Sequence, residues 1–141
     1  MPTDAPTLYP SLRYRDAPAA MDFLKAAFGF REVERIDNPD GTIAHAELAF
    51  GPSILMLGTD RDDALAGRRE GKGWLYLAVD DADTACARAR AAGAEIVTEP
   101  FDQDYGSRDF VARDPEGNIW NVGTYRPAPA AAQGAPSATG A

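Results

Sequence analysis

The sequence is short of cysteine, of basic charge and of long apolar runs, and each shortage excludes a class of protein. No run of about 18 apolar residues occurs, so the sequence predicts no membrane-spanning helix. The first residues lack the basic start and the apolar stretch of a secretion signal. We therefore expect a cytoplasmic protein without a membrane partner.

Cysteine usage and charge exclude two further classes. Cys86 is the only cysteine, so the chain has no internal disulfide, and its place in a helical segment is typical of a small core residue. The 14 basic residues are outnumbered by 22 acidic ones, which gives a formal net charge of −8. Nucleic-acid binding requires a basic face, and none is visible. The acidic balance serves solubility, or it attracts cationic ligands.

What the sequence does contain is an internal repeat. Asp16 opens one short helical segment and Asp81 opens another, 65 positions later (81 − 16). Each segment follows a strand-like run, ends at a glycine (Gly29 or Gly93) and is followed by more strand-like sequence. A duplicated unit of this kind predicts two modules related by a pseudo-twofold axis, with a cleft between them.

Each half has the order of a βαβββ module. We expect an α+β fold in which two mixed sheets curl around a shared cleft, while the helices cover the other faces of the sheets. The predicted divisions are a single domain at 1–126, comprising module one at 8–57, a linker at 58–72 and module two at 73–125, and then a disordered tail at 127–141.

Four motifs stand in order along the two modules. They are Leu12-Arg13-Tyr14-Arg15-Asp16, Phe23-Leu24-x-x-Ala27-Phe28-Gly29-Phe30, Val79-Asp80-Asp81 and Asp114-Pro115-Glu116-Gly117-Asn118. With these motifs the chain resembles the vicinal oxygen chelate superfamily, which includes glyoxalase I, extradiol dioxygenases, fosfomycin-modifying enzymes and bleomycin-resistance proteins. The resemblance covers about residues 8–125 and does not fix an activity, because the fold supports many chemistries.

Metal-dependent members of this superfamily place His, Gln or Glu ligands on the first and last strands of each module. The resemblance carries those positions to Tyr9 and Met56 in module one and to Trp74 and Asn121 in module two. None of the four is a usual ligand for a divalent ion. The resemblance therefore implies a cleft that holds no metal and no other cofactor.

His45, the only histidine, offers another route to a metal or to catalysis. Glu47 follows two residues later, so both side chains point to the same face of a predicted strand, toward the cleft. The pair provides two ligands for a divalent metal without an obvious third. Alternatively, it acts as acid and base, with Arg13 stabilising an oxyanion.

The same alternation turns aromatic and apolar side chains toward the cleft. Such a wall with few polar groups is typical of binding sites for organic molecules. Flat rings stack on Trp and Tyr, and the faces of aromatic rings attract cations. At its mouth, Tyr105 and Arg108 form either a lid that grips an anion or an ordinary turn. The predicted ligand-binding residues are Tyr9, Arg13, His45, Glu47, Met56, Trp74, Tyr76, Tyr105, Arg108 and Asn121.

Three functions fit this sequence. The first is a metal-free binding protein, similar to the antibiotic-sequestering branch of the superfamily, that holds an aromatic or cationic organic ligand. The alternative is a glyoxalase-type lyase or isomerase, or a dioxygenase, that uses a divalent metal. The third is metal-free acid–base catalysis by His45 and Glu47. The resemblance also implies a homodimer, and the identity of the ligand stays open.

Overall fold

A computed structural model of the protein describes residue 6, residues 8–61 and residues 73–127. Within these ranges neither helix is long and apolar enough to cross a membrane. The elements are β1 (Ser11–Tyr14), α1 (Ala17–Phe28), β2 (Arg31–Asp37), β3 (Ile43–Phe50), β4 (Ser53–Thr59), β5 (Trp74–Ala78), α2 (Ala82–Ala91), β6 (Glu95–Asp102), β7 (Arg108–Arg113) and β8 (Ile119–Gly123).

The two halves fold alike, and the predicted pair of βαβββ modules is confirmed. The strand order is β1-β4-β3-β2 in the first sheet and β5-β8-β7-β6 in the second. In each sheet the first strand pairs in parallel with the last, and the other neighbours are antiparallel. As a result β1 and β5 are edge strands at equivalent positions of the two mixed sheets.

The sequence around each helix start explains where the helices begin. Oδ1 of Asp16 accepts a hydrogen bond from the backbone N–H of Ala19, and Oδ1 of Asp81 accepts one from that of Thr84, both at 3.1 Å. Such caps satisfy amides that have no partner within the helix. α1 ends at Gly29, whose φ of 85° is a left-handed conformation that glycine adopts without strain. The predicted start and stop of the first helix are thus confirmed.

One hydrophobic core joins the modules. Trp120 on β8 is fully buried, and its ring centroid lies 5.2 Å from that of Phe28 and 5.9 Å from that of Phe30. The tryptophan belongs to module two and both phenylalanines to module one, so neither module completes its core alone. Leu55 and Leu57, which alternate with more exposed residues along β4, are buried in this core.

Polar contacts also cross from one module to the other. The hydroxyl of Tyr14 donates to Oδ2 of Asp114 at 2.7 Å, and the same oxygen accepts from Nε1 of Trp120 at 3.0 Å. On the helix side, Nε of Arg88 donates at 3.0 Å to the carbonyl of Ala26, near the end of α1. Carbonyls in the last turn lack partners within a helix, so Arg88 satisfies one of them. These contacts fix how the two modules are oriented.

The linker predicted at 58–72 begins too early. β4 continues through Gly58 and Thr59, where the Thr59 hydroxyl accepts a hydrogen bond from the backbone N–H of Ile43 at 2.8 Å. This contact extends the pairing of β3 with β4 beyond the last apolar residue of the strand. The rest of the predicted linker, residues 62–72, lies outside the described residues.

The first strand does not reach Tyr9, which the resemblance places on it. β1 begins at Ser11, because Pro10 has no N–H to donate and contributes only its carbonyl, which accepts from the N–H of Met56 at 3.0 Å. Tyr9 therefore lies before the strand, not within it. Residues 128–141 of the predicted tail lie outside the described residues.

Candidate functional site

The predicted site residues of module one collect on the sheet face opposite the core. His45 and Glu47 are neighbours on this face of β3, and Nε2 of His45 lies 2.9 Å from Oε2 of Glu47. Glu47 is paired with Met56 across β3 and β4, and Met56 with Ser11 across β4 and β1. The predicted shared orientation of His45 and Glu47 is thus realised as a direct contact between the two side chains.

Tyr9 and Arg13 lie at the β1 side of this group. Arg13 follows Ser11 by two residues and is half-buried, which places it on the same face. The hydroxyl of Tyr9 donates to the carbonyl of Pro6 at 2.6 Å, and the side chain is 38% exposed. Tyr9 is therefore held by its own N-terminal segment.

Trp74, Tyr76 and Asn121 form the corresponding group of module two. Tyr76 and Asn121 are directly paired across β5 and β8. Trp74 is 75% exposed, which is unusual for so large an apolar side chain. Oδ1 of Asn121 is buried and has no hydrogen-bond partner among the described residues. A buried carbonyl left without a donor costs about 1–3 kcal/mol, so this oxygen marks a place that favours a donor.

These two groups are not joined directly. No hydrogen bond, ion pair or ring contact within residues 8–61 and 73–127 connects the group around His45 and Glu47 to the group around Trp74 and Asn121. A ligand that touched both groups would therefore bridge side chains that do not already touch each other.

A cavity of about 920 Å³ runs between the modules along the edge strand β5. Its wall is mainly apolar and aromatic, and among the predicted ligand-binding residues Tyr76 lines it. The sequence does not single out the other large rings of this wall, because an apolar pattern does not distinguish the lining of a cavity from a buried core. These further wall residues include Phe30, Phe50, Ile54, Leu75 and Trp120.

Two charged side chains stand among the residues that line the cavity. Nη2 of Arg126 donates to Oδ1 of Asp80 at 2.9 Å, and both side chains are exposed. An exposed pair of this kind contributes little to stability, because water screens the attraction. It does leave this part of the wall without net charge.

Tyr105 and Arg108, predicted to form either a lid or an ordinary turn, have partners within the protein. Nε and Nη2 of Arg108 donate to the two carboxylate oxygens of Asp83 at 3.0 and 3.1 Å, and Nη1 donates to Asp102 at 3.1 Å. An anionic ligand would have to displace one of these carboxylates. Tyr105 is 64% exposed and packs edge-to-face on Tyr125, with ring centroids 5.8 Å apart.

Asp109 is a buried acidic residue that the sequence does not reveal, since aspartate in a strand is usually exposed. Its side chain is 0% exposed; Oδ1 accepts from Ser107 Oγ at 2.5 Å and Oδ2 from Gln103 Nε2 at 3.0 Å. Gly123 is opposite it in the sheet, and a Cβ there would lie 2.0 Å from Oδ1 of Asp109. The missing side chain of Gly123 makes the room that the carboxylate occupies.

The donor set does not fit a divalent metal. Of Tyr9, Met56, Trp74 and Asn121, only the amide oxygen of Asn121 belongs to the usual oxygen ligands. His45 and Glu47 provide two further donors on β3, but nowhere in the described ranges do three His, Cys, Asp or Glu side chains come close enough to hold one ion.

Comparisons with known proteins agree with this fold. A family model described as Glyoxalase/Bleomycin resistance protein/Dioxygenase superfamily matches residues 7–122. The uncharacterized protein Rv0887c of Mycobacterium tuberculosis is 36% identical over 125 residues, which is 84% of this chain and 74% of that protein. The lactoylglutathione lyase of Neisseria meningitidis is 26% identical over 115 residues, or 78% of this chain and 83% of that enzyme.

A solved structure with the same architecture is TioX from Micromonospora sp. ML1. It matches with a TM-score of 0.72 and 32% sequence identity, over 84% of this chain and 98% of the TioX chain. Nearly the whole of TioX thus corresponds to the two modules described above.

Proposed function

Since the chain belongs to the Glyoxalase/Bleomycin resistance protein/Dioxygenase superfamily, we propose that it is a metal-free binding protein for a planar organic molecule. The cavity between the modules carries this proposal. Its volume of about 920 Å³ is in the range of small-molecule sites, which measure about 300–1,000 Å³. Its apolar and aromatic wall favours a ligand of the same character.

The side chains along β5 support an aromatic ligand. Leu75 and Tyr76 line the cavity, and Trp74 precedes them with most of its surface exposed. Covering an exposed tryptophan with a flat ring removes apolar area from water and adds a favourable ring–ring contact of about 0.5–1.5 kcal/mol. We infer that the ligand lies against this strand and extends toward Phe50 and Ile54 across the cavity.

A glyoxalase-type lyase or a dioxygenase is the alternative function. The name of the Neisseria relative gives that activity to that protein, and such enzymes of the superfamily use an ion to activate oxygen or to stabilise an enediolate. The His45–Glu47 pair is the one feature that favours catalysis here, because its side chains are in contact and partly exposed. The donor set described above supports the binding protein more than the metal enzyme.

We also propose that the chain forms a homodimer. Two large apolar side chains on β6, Val97 and Phe101, are exposed away from the cavity wall. Exposed apolar area of this kind favours association with a second copy, which would cover it. Sedimentation equilibrium tests this proposal, and a monomer at micromolar concentration contradicts it.

Filling the cavity tests the binding function. We expect quinoline and 1-methylnaphthalene to bind the protein, as measured by titration calorimetry at pH 8. Ile54→Trp places a large side chain in the wall of the cavity and should weaken binding about tenfold or more, which is about 1.4 kcal/mol. Val33→Trp, at an exposed position on β2 outside that wall, is the matched control and should bind as the unmodified protein does.

Two outcomes contradict the proposed function. The first is that neither probe binds, and the second is that Ile54→Trp and Val33→Trp bind equally well. Elemental analysis of the purified protein addresses the alternative directly. A stoichiometric transition metal that is lost in His45→Ala would favour the enzyme.

A further inference from the structure

Three tyrosines meet at one end of the second sheet and form a tyrosine cluster of Tyr76, Tyr105 and Tyr125. The hydroxyl of Tyr76 donates to the backbone carbonyl of Tyr125 at 2.6 Å, and the ring of Tyr105 meets that of Tyr125 at 88°. Tyr105 and Tyr125 are 64% and 51% exposed. The cluster is therefore open to a ligand on one side.

The carboxylate of Asp109 lies behind this cluster. Both of its oxygens are hydrogen-bonded to neutral side chains, Ser107 and Gln103, and no cation is among these partners. Ser107, which donates to Asp109, also accepts from the backbone N–H of Tyr125 at 3.1 Å. Ser107 thus connects Asp109 to Tyr125 of the cluster through two hydrogen bonds.

No cation of the described chain neutralises Asp109. Arg108, the next residue before it, pairs with Asp83 and Asp102. The other arginines near this sheet have carboxylates of their own: Arg113 pairs with Glu95 and Arg126 pairs with Asp80. A buried charge without an opposite charge is unfavourable, so the site favours the approach of a cation.

The charge of Asp109 acts on the surface of the cluster. A Cβ at Gly123 would lie 2.0 Å from Oδ1 of Asp109 and 3.0 Å from the hydroxyl of Tyr76, so both groups border the space that this glycine leaves. Burial raises the pKa of Tyr76, and the negative charge of Asp109 raises it further. The carboxylate therefore adds a negative potential where the tyrosine rings meet solvent.

We propose that the tyrosine cluster, backed by Asp109, binds the positively charged group of an organic cation such as a quaternary ammonium or a pyridinium. The faces of aromatic rings attract cations, and a buried carboxylate is screened by salt much less than an exposed one. Because Tyr76 also lines the cavity between the modules, this inference rests on the proposed function and identifies the charged end of the same ligand.

A pair of probes of equal shape and different charge tests this inference. N-methylquinolinium is a cation, and 1-methylnaphthalene is its neutral counterpart. We expect the unmodified protein to bind the cation about tenfold more tightly than the neutral probe. In Asp109→Asn, which keeps the size of the side chain and removes its charge, the ratio of the two dissociation constants should fall by at least about threefold.

Asp104→Asn is the matched control, because it removes the same charge from an exposed residue of the adjoining loop. Its ratio should stay close to that of the unmodified protein, since water screens an exposed carboxylate. An equal fall in both variants would assign the preference to the overall negative charge and overturn the inference. So would an unchanged ratio in Asp109→Asn.

Tyr105 provides a second test that does not depend on a buried residue. Tyr105→Leu removes the ring and should lower the preference for the cation about threefold, whereas Tyr105→Phe keeps the ring face and should preserve it. Equal ratios in both variants would contradict the inference. If the unmodified protein binds the neutral probe and the cation with equal affinity, this inference alone is wrong. If it binds neither probe, the proposed function is wrong as well.

Discussion

The hydroxyl of Tyr14, at the end of β1, donates a hydrogen bond of 2.7 Å to Asp114, which lies 100 residues later in the turn before β8. Asp114 also accepts from the side chains of Asn118 at 3.1 Å and Trp120 at 3.0 Å. One buried carboxylate therefore holds the first strand of module one against the last strand of module two. We expect this junction to dominate the stability of the chain.

Removing Asp114 tests that expectation. Asp114→Ala leaves four buried donors without an acceptor: the side chains of Tyr14, Asn118 and Trp120 and the backbone N–H of Asn118. Each orphaned group costs about 1–3 kcal/mol, so we expect the free energy of unfolding to fall by at least about 4 kcal/mol. Tyr14→Phe should cost about 2 kcal/mol, and the double variant less than the sum. Tyr9→Phe, whose hydroxyl is exposed, is the control and should be near neutral in urea unfolding. Additive losses at positions 14 and 114 would contradict the coupling.

Tyr14 predicts how stability depends on alkaline pH. Burial, and then the charge of Asp114, raise the pKa of Tyr14 well above its ordinary value of 10.0. The unfolded chain therefore loses this proton at a lower pH than the folded protein does. It follows that the free energy of unfolding falls as pH rises past 10, by at most about 1.4 kcal/mol per pH unit for this group. Below pH 9 the group contributes no pH dependence.

Urea unfolding at pH 8, 10 and 11 measures this effect. The fall should be smaller in Tyr14→Phe, although some of it remains because the pKa of Tyr76 is also raised. An identical fall in the variant and in the unmodified protein would mean that Tyr14 ionises as easily in the folded state as in the unfolded one.

The two tryptophans should respond very differently to the same substitution. Trp120→Ala removes a fully buried ring from the shared core and should cost about 3–5 kcal/mol in thermal or urea unfolding. Trp74 is 75% exposed, so Trp74→Ala should change stability by no more than about 0.5 kcal/mol. It should nevertheless weaken the binding of 1-methylnaphthalene. A large loss of stability in Trp74→Ala would show that this ring belongs to the core.

Cys86 should be unreactive in the folded protein. It is buried on α2, and burial raises the pKa of its thiol, so little reactive thiolate forms at neutral pH. We expect its reaction with 5,5′-dithiobis(2-nitrobenzoic acid) to be at least about a hundredfold slower in buffer than in 8 M urea. A fast reaction without denaturant would contradict the core position of this residue.

The sequence predicts the modules well because their signals are local or periodic. Asp16 marks the start of α1 because its side chain accepts a hydrogen bond from the first turn, and Gly29 marks its end because a residue without a Cβ adopts the left-handed conformation. The alternation that buries Leu55 and Leu57 depends only on the two-residue period of a strand. Each of these features is decided within a few residues, so one sequence suffices to predict it.

The site is harder to predict because the residues that contact one another in it are far apart in the sequence. The burial of Asp109 depends on the absence of a side chain at Gly123 and on donors from Gln103 and Ser107. Arg108 is engaged by Asp83, which lies 25 residues earlier on a helix. The pattern of residues within one helix or strand does not predict contacts between side chains of different elements. The same holds for the cavity, whose wall comes from both modules.

The shared core makes the two halves non-interchangeable. Gly29 is flanked by Phe28 and Phe30, whereas the matching Gly93 is flanked by Ala92 and Ala94. A chimera built from two copies of the second half would present methyl groups to both copies of Trp120 and leave voids beside them. A chimera built from two copies of the first half would place four phenyl rings in its interior and crowd it. The two modules have the same order of elements, as in a tandem duplication. A substitution that changes the size of a core residue in one module therefore requires a matching substitution in the other.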